Sequence, residues 1–451
     1  MVLLLSKIAR ALTIAGLDSG GGAGIIADIK TFSALGVFGM AAITSVTAQN
    51  TKAVLGIHDV PEEMIKLQIK AVAEDIGIDA AKTGMLHTAS IIKAVAEEIK
   101  NYDFPLVVDP VMIAKSGAEL MKADARNALI KYLLPHAKIV TPNIPEAEAL
   151  TRIKIRSVDD AKKAAKIITE KYGCEAVVIK GGHLTGEKSI DILHYNGEFY
   201  TFETPRIETK NTHGTGCTYS AAVTAELAKG KSLIDAIKTA KVFTYLAIKY
   251  GFNIGQGYGP VNHMAWLYRE AERYEIIKSL KKALNLLESN PRISELIPEV
   301  GMNIALASTY SIDKNDVAAI PGRIRPVEGK AKACGCPEFG VSKHLASYIL
   351  TAREYDAKIR AAVNIKFDEK ILEKLKLLGL TISHYDRLEE PEEFKKIEGM
   401  TIPWGTKEAI KRVGKVPDVI YHRGDWGKEP MIVLLGESLE KLINILLKLV
   451  E

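Results

Sequence analysis

Residues 211–222 read NTHGTGCTYSAA. Two glycines, Gly214 and Gly216, stand just ahead of a run with helical character that starts near Cys217. Such a loop leaves backbone N–H groups exposed at the positive end of the helix dipole, where a phosphate is stabilised. A Gly-x-Gly ahead of a helix also serves as a plain tight turn, so the stretch alone does not decide between packing and ligand. The Lys-Ser/Thr ending of a P-loop is absent, which excludes a P-loop NTPase. A chemical question comes with the stretch: a thiol, Cys217, stands at the mouth of the helix.

Outward from this loop, strand-like runs alternate with amphipathic helical segments from residue 11 to about 255. ALTIAG, AAITSVTA, DAAKTGM, PLVVDPVM, AKIVTPN and EAVVIKGG each precede a longer helix-patterned stretch such as ADIKTFSALG or VDDAKKAAKIITEKYG. That rhythm predicts an α/β fold, a mostly parallel sheet with helices on both faces. Ligands of such sheets bind beyond the carboxyl ends of the strands, which is where the Gly- and Pro-rich signals fall. GFNIGQGYGPVNH (251–263) interrupts the pattern, and a charged helical stretch follows it as far as Asn290-Pro291. A second, smaller α/β region then shows its own signals: MNIALAS, DVAAIPGRI, FGVSKHLASYILTA, AAVNIKF, DVIYHRGD and MIVLLGES. The expected division is one domain over 1–265, a linker helix over 266–284 and a second domain over 285–451.

Composition sets the outer limits. At 451 residues the chain exceeds one average domain. Its net charge of +5 is spread without long blocks, which suits phosphorylated small molecules and argues against nucleic acid as a partner. No apolar run reaches the roughly 18 residues of a membrane span. MVLLLSKIARALTIAG has no basic region ahead of its apolar one, so it reads as the approach to a buried strand, not a signal peptide. Four cysteines make no disulfide framework, and Cys334-Gly335-Cys336 lacks the second ligand pair of a zinc site. The expected setting is the cytoplasm.

Three further motifs carry chemistry. VTPNIPEAEAL places Asn143 and Glu146 three apart at a strand end, a spacing suited to ordering Mg²⁺ and its waters. VVDPVM sets Asp109 at a strand's carboxyl end, and VVIKGGH offers Lys180 as a cation for nucleotide phosphates. Each has a structural alternative: a cap for Asn143, a turn residue for Asp109, a surface charge for Lys180. Their order within one α/β region is the stronger signal.

With these motifs, and with TIAGLDSGGGAGIIADIKTFSALGVFGMAAITSVTAQNT, KTGML and GYGPVNH, residues 10–263 resemble the ribokinase-like superfamily. Within it they look like the hydroxymethylpyrimidine kinase/phosphomethylpyrimidine kinase family of thiamine biosynthesis. The resemblance implies a pyrimidine held against Gly16, Asp28, Gln49 and Met85. It implies that Asn143 and Glu146 serve Mg²⁺, and that Asp109, Lys180, Thr212, Gly214, Thr215 and Gly216 serve ATP, the last three forming an anion hole. Many relatives carry a proline after the Asp of AGLDSGGGAG; this chain has Ser19. The loop Gly20–Gly24 would let the backbone approach a flat heterocycle, and the Gln49 amide offers it both a donor and an acceptor. Where most sugar kinases of the superfamily place an Asp as base, this chain has Cys217. A helix N-terminus brings a thiol below its usual pKa of about 8.5, and such a thiolate suits general-base work; the alternative is a small residue tolerated by packing. Family members phosphorylate an alcohol and then the resulting monophosphate, so Cys217 should matter mostly for the first step.

In the second region, Arg323 follows Pro-Gly in an expected turn and His344 opens an amphipathic helix. Arginine's planar fork suits diphosphate oxygens. A lone helical histidine more often only packs. The region from about 285 to 451 resembles the thiamine-phosphate synthase domain fused behind this kinase in archaea and some bacteria. The resemblance implies condensation of hydroxymethylpyrimidine diphosphate with thiazole phosphate, with Arg323 and His344 at the positions that catalytic members need. A related form of the domain is a ligand sensor behind a helix-turn-helix, which leaves an effector-binding module as the alternative. The helices expected at 266–290 are too few and too mixed in charge for a DNA reader. The expected partners are small molecules and further copies of this chain, with ATP and Mg²⁺ as cofactors and neither nucleic acid nor membrane.

Overall fold

The computed structural model describes residues 8–451 apart from 115, 116, 118, 123, 185, 396 and 426. The chain divides into two compact units, Met1–Trp266 and Leu267–Glu451. The first seven residues of the apolar opening lie outside the described residues; its continuation enters strand β1 at Arg10. No helix among the described residues is long and apolar enough to cross a membrane.

The first unit is built on nine strands: β1 (Arg10–Asp18), β2 (Phe38–Gln49), β3 (Val54–Asp59), β4 (Ala80–Thr83), β5 (Leu106–Val108), β6 (Ile139–Val140), β7 (Ala176–Ile179), β8 (Lys188–Tyr195) and β9 (Glu198–Pro205). Their order is β3-β2-β1-β4-β5-β6-β7-β8-β9. From β2 to β7 every pair is parallel, as the sequence rhythm predicts, while β3, β8 and β9 join antiparallel. Successive strand residues face opposite sides, so two cores form. Leu12, Ile14, Val108, Val177 and Ile179 meet the helices Glu62–Asp75, Ala89–Ile99 and Val158–Tyr172. Ala11, Val107, Ala176 and Val178 meet the helices Gly24–Ala34, Thr215–Ala228 and Leu233–Lys249. Local signals set the ends of these helices. Ser157 caps Val158–Tyr172 by accepting the Asp160 amide, and Gly173 ends it in the left-handed region. The β8–β9 hairpin was not singled out from the sequence, although Asn196-Gly197 at its tip is a strong hairpin signal and both residues have positive φ.

The second unit has a seven-stranded sheet in the order β14-β11-β10-β15-β18-β17-β16. Its strands are β10 (Asn303–Ala307), β11 (Val317–Ala319), β14 (Glu338–Phe339), β15 (Ala361–Lys366), β16 (Ile382–His384), β17 (Val419–His422) and β18 (Met431–Gly436). Between β11 and β14 lies a separate two-stranded ribbon, β12 (Ile324–Val327) with β13 (Lys330–Ala333). In the main sheet only β16–β17 is parallel. One face packs on the helices Glu369–Leu377 and Leu439–Leu449, the other on Lys343–Arg353 and Thr401–Val413.

The segment read as a linker is one continuous helix, Ala265–Ser289, followed by a short 3₁₀ turn at Pro291–Leu296. From Leu267 on it belongs to the second unit and gives Ile276, Leu280, Ala283, Leu284 and Leu287 to its core. Arg269 Nε donates to Asp316 Oδ1 at 2.7 Å, and Glu272 Oε2 accepts from Ser308 Oγ at 2.7 Å. A fragment spanning 267–451 is therefore expected to fold and unfold cooperatively. One spanning 285–451 loses Ile276 and Leu280, and each such buried loss costs about 2–5 kcal/mol. Equal melting temperatures for the two fragments would show that the helix adds nothing to that core.

Candidate active site

In the first unit, polar and charged side chains gather at the carboxyl ends of adjacent parallel strands. Asp18 ends β1, Lys82 lies on β4, Asp109 follows β5, Thr141 follows β6 and Lys180 follows β7. Asp109 is buried. Its Oδ1 takes a 3.0 Å contact from Lys180 Nζ and a 3.1 Å hydrogen bond from Thr141 Oγ1, and its Oδ2 accepts from Ser220 Oγ at 3.1 Å. Burial pushes this carboxyl up, but Lys180 and Lys82 outweigh it and hold it below its ordinary value. One strand over, Lys82 Nζ lies 2.8 Å from Asp28 Oδ1 with both side chains fully buried, while Thr13 Oγ1 donates to Asp28 Oδ2 at 2.6 Å. Burial works against the charge on Lys82, yet the surrounding Asp28, Cys217 and Asp109 keep its pKa above normal.

The two glycine loops meet over this array. Gly214 has φ +84°, and a Cβ there would lie 1.8 Å from the Gly22 carbonyl oxygen, so only glycine fits. His213 Nε2 sits 2.8 Å from Asp18 Oδ2, tying one loop to the other. Asp18 also accepts the amides of Gly20, Gly22 and Ala23, at 2.8, 3.2 and 2.8 Å. The helix Thr215–Ala228 starts directly behind Gly214, and the amides of its first turn have no partner inside the helix. All of this surrounds a cavity of about 670 Å³. Gly16, Asp28, Gln49, Met85, Asp109, Asn143, Glu146, Lys180, Thr212, Gly214, Thr215, Gly216 and Cys217 all line it.

The second unit brings Arg323 and His344 into one neighbourhood. Arg323 sits in the turn after Pro321-Gly322 with φ +72°, and its Nη1 donates to the Val300 carbonyl at 2.7 Å. His344 is the second residue of the helix Lys343–Arg353. Burial, and then the charges of Arg323, Arg387 and Lys428, bring it down to about 4.

Residues 18–262 match the phosphomethylpyrimidine kinase family. The chain belongs to that family. Residues 279–448 match a second one, thiamine-phosphate synthase ThiN. The hydroxymethylpyrimidine/phosphomethylpyrimidine kinase of Haemophilus influenzae is 51% identical over 267 residues, covering 58% of this chain and 99% of that protein. The thiamine biosynthesis bifunctional protein ThiED of Geobacter sulfurreducens is 47% identical over 254 residues, 56% of this chain and 52% of its own. An ADP complex of Bacillus subtilis pyridoxal kinase superposes with a TM-score of 0.54 at 42% identity, covering 57% of this chain and 98% of that one. The first unit is thus a ribokinase-like kinase domain of thiamine biosynthesis, joined to a thiamine-phosphate synthase domain.

Several expectations for the phosphomethylpyrimidine kinase unit need correction. Cys217 does not have a depressed pKa: burial pushes the thiol up to about 12, and Lys82 and the Gly24 amide only partly oppose this. Desolvation beats the helix terminus. In the loop Gly20–Gly24 the amides of Gly20, Gly22 and Ala23 are taken by Asp18, while Ala23 and Gly24 line the cavity. Asp28 has both oxygens engaged by Lys82 and Thr13. Lys180 is a buried partner of Asp109, not a surface charge. In the second unit His344, brought down to about 4, is neutral at pH 7. Sequence reasoning missed Lys82, although KTGML carries it, because a lysine inside a strand signals burial only once its carboxylate partner is known. The Asp18–His213 link joins residues 195 apart, and no local pattern marks it.

Glu146 and Asn143 form a reciprocal capping box on the helix Ile144–Thr151, so the structural alternative for Asn143 holds. Glu146 is nevertheless buried toward the cavity. Burial pushes its carboxyl up to about 7, with Lys180 pulling it down and Asp109 up. A buried carboxyl so short of positive charge fits a hydrated divalent cation. Among the described residues no group of three or more His, Cys, Asp or Glu side chains could hold a metal, so such a cation would depend on phosphate and water as well. In the metal-free protein the unfolded chain ionises Glu146 near pH 4.5 and the folded one near 7. Stability from this group is therefore lost as pH rises through that window, and the deficit is constant above it. Glu146→Gln keeps an acceptor for the Asn143 amide. It should be more stable than wild type by roughly 1–3 kcal/mol at pH 8 and by little at pH 5. Thermal melts at both pH values check this; a difference independent of pH would refute the burial argument.

Proposed function

We propose that the first unit transfers the γ-phosphoryl group of ATP to the hydroxyl of hydroxymethylpyrimidine, and then a second one to the monophosphate so formed. The second unit would condense that diphosphate with thiazole phosphate, releasing pyrophosphate and leaving thiamine phosphate. The observation that supports the kinase half most is the convergence of Asp109, Lys180, Lys82, Glu146 and the first turn of Thr215–Ala228 on one cavity. Phosphoryl transfer depends mainly on positioning and charge neutralisation, and this cavity supplies both. The amides behind Gly214 would receive the charge gathering on the transferred group, with Lys180 beside them. Mg²⁺, when bound, would neutralise the polyphosphate; Glu146, with Asp109 near it, would hold it through its waters. Gln49 and Met85 line the part of the cavity where the pyrimidine would sit, with Gly16 against the Met85 sulfur.

A neutral thiol cannot take a proton, so Cys217 is assigned a positioning role: it orients the acceptor hydroxyl, whose proton leaves late. One such contact contributes about 1.4 kcal/mol, or roughly a tenfold effect. Cys217→Ala should therefore slow the first phosphorylation about tenfold and the second hardly at all, with no thiolate limb between pH 7 and 9. A loss of about 10² with such a limb would restore the thiolate base.

The whole reading is tested by supplying the pyrimidine alcohol, thiazole phosphate and Mg-ATP and assaying thiamine phosphate. Arg323→Ala and His344→Ala should each abolish its formation while both kinase steps stay near wild type. Arg323→Lys should recover little, because an ammonium lacks the planar fork. Accumulation of the pyrimidine diphosphate by wild type, with thiazole phosphate present and no thiamine phosphate formed, would assign the second unit to ligand sensing instead.

A further inference from the structure

Beyond Arg323 and His344, the second unit carries a set of polar groups that its fold does not use. Arg387 lies in a 3₁₀ turn, Arg387–Glu389, that follows β16. Its Nε is buried and has no hydrogen-bond partner among the described residues. Leaving a buried charged donor unpaired is costly, so a group of this kind calls for an external acceptor. Two other cations bear on the same place: Arg323 and Lys428 act on His344 together with Arg387. Of these, Arg323 Nη1 donates to the Val300 carbonyl, while the Arg387 Nε is left without a partner among the described residues.

An aromatic row links the two ends of this neighbourhood. The His344 ring lies 5.3 Å from Tyr348, the Tyr348 and Tyr385 hydroxyls are 2.8 Å apart, and the Tyr385 ring is 5.3 Å from His422 at the end of β17. The Gly424 amide donates to His422 Nδ1 at 3.2 Å. That fixes the tautomer: Nδ1 accepts, so Nε2 carries the hydrogen and is a donor. Arg387, two residues after Tyr385 and with its buried Nε unpartnered, together with a histidine that presents Nε2–H, makes a receptor for an oxyanion, with the Arg387 fork as its directional group.

We propose that Arg387 and His422 bind the diphosphate of the second unit's substrate at the His422 end of that row. The assignment rests on the synthase reading for the identity of the ester, but not for the presence of the anion site. Glu390 sets the competing explanation: its Oε1 is also buried without a partner, so Arg387 could be kept only to offset that carboxylate.

The test uses the full chain and inorganic pyrophosphate, titrated calorimetrically with saturating ADP so that the kinase cavity is filled. Arg387→Met, which keeps the apolar stem, and His422→Gln should each weaken pyrophosphate binding, Arg387→Met by about ten- to a hundredfold. Both should leave the two kinase rates unchanged, and the KM for the pyrimidine diphosphate should rise more than kcat falls. Wild-type affinity in both variants overturns the proposal, and so does an Arg387→Met variant that loses only thermal stability. Should Arg387→Met not fold, His422→Gln decides the matter by the same readout. If pyrophosphate binds in an Arg387-dependent way but no thiamine phosphate ever forms, the anion site stands and the synthase reading falls.

Discussion

Two buried lysines set the terms for the first unit. Lys82 and Lys180 stand at the ends of β4 and β7, and neither is tolerable there without a carboxylate. Asp28 answers one at 2.8 Å and Asp109 the other at 3.0 Å. Removing one partner of such a pair leaves an uncompensated buried charge, which is far worse than never having built the pair. The arrangement thus demands that β1, β4, β5, β6 and β7 end in register, since their side chains must reach one another across the sheet edge. It also adds to why Cys217 stays a thiol: burial is the larger cause, and the cations around it are already answered by carboxylates that raise its pKa in turn.

Much of this unit was legible from sequence because parallel α/β folds write their architecture locally. Each strand is a short apolar run, each helix an amphipathic one, and the ligand loops follow the strands. Asp109, Lys180 and Gly214 could be found that way. What escaped were the terms that depend on two distant residues. The depth of the thiol at Cys217, the lysine buried against Asp28, and the loop amides spent on Asp18 all belong to this class. A local rule, such as the favourable effect of a helix N-terminus on an anion, gives the sign of one contribution. It does not say whether desolvation exceeds it.

The second unit was less legible for a different reason. Its main sheet is largely antiparallel, and its short strands β11, β14 and β16 have only two or three residues each, too few to show a period. The helix Ala265–Ser289 read as a linker because its charged residues mask a buried stripe at Ile276, Leu280, Ala283, Leu284 and Leu287. That spacing of three and four is the core-facing pattern of an amphipathic helix. It is present in the sequence, but the high charge density around it masks the stripe.

On the proposed reading the two units would meet phosphate by opposite electrostatic means. In the kinase unit each buried lysine is matched by a carboxylate, so the bare cavity is close to neutral there, and the directional work falls to backbone amides behind Gly214. On the proposed reading such a site would grip a polyphosphate together with Mg²⁺, which suits a nucleotide that leaves as ADP after every transfer. In the second unit the Arg387 Nε is buried without a hydrogen-bond partner among the described residues, and on the proposed reading that charge would be held in advance for a ligand that arrives as a diphosphate and departs as pyrophosphate. On the proposed reading, the kinase must neutralise charge that moves from donor to acceptor, while the synthase must stabilise charge that grows on a leaving group. Paired lysines with amides would serve the first task, and the Arg387 guanidinium the second.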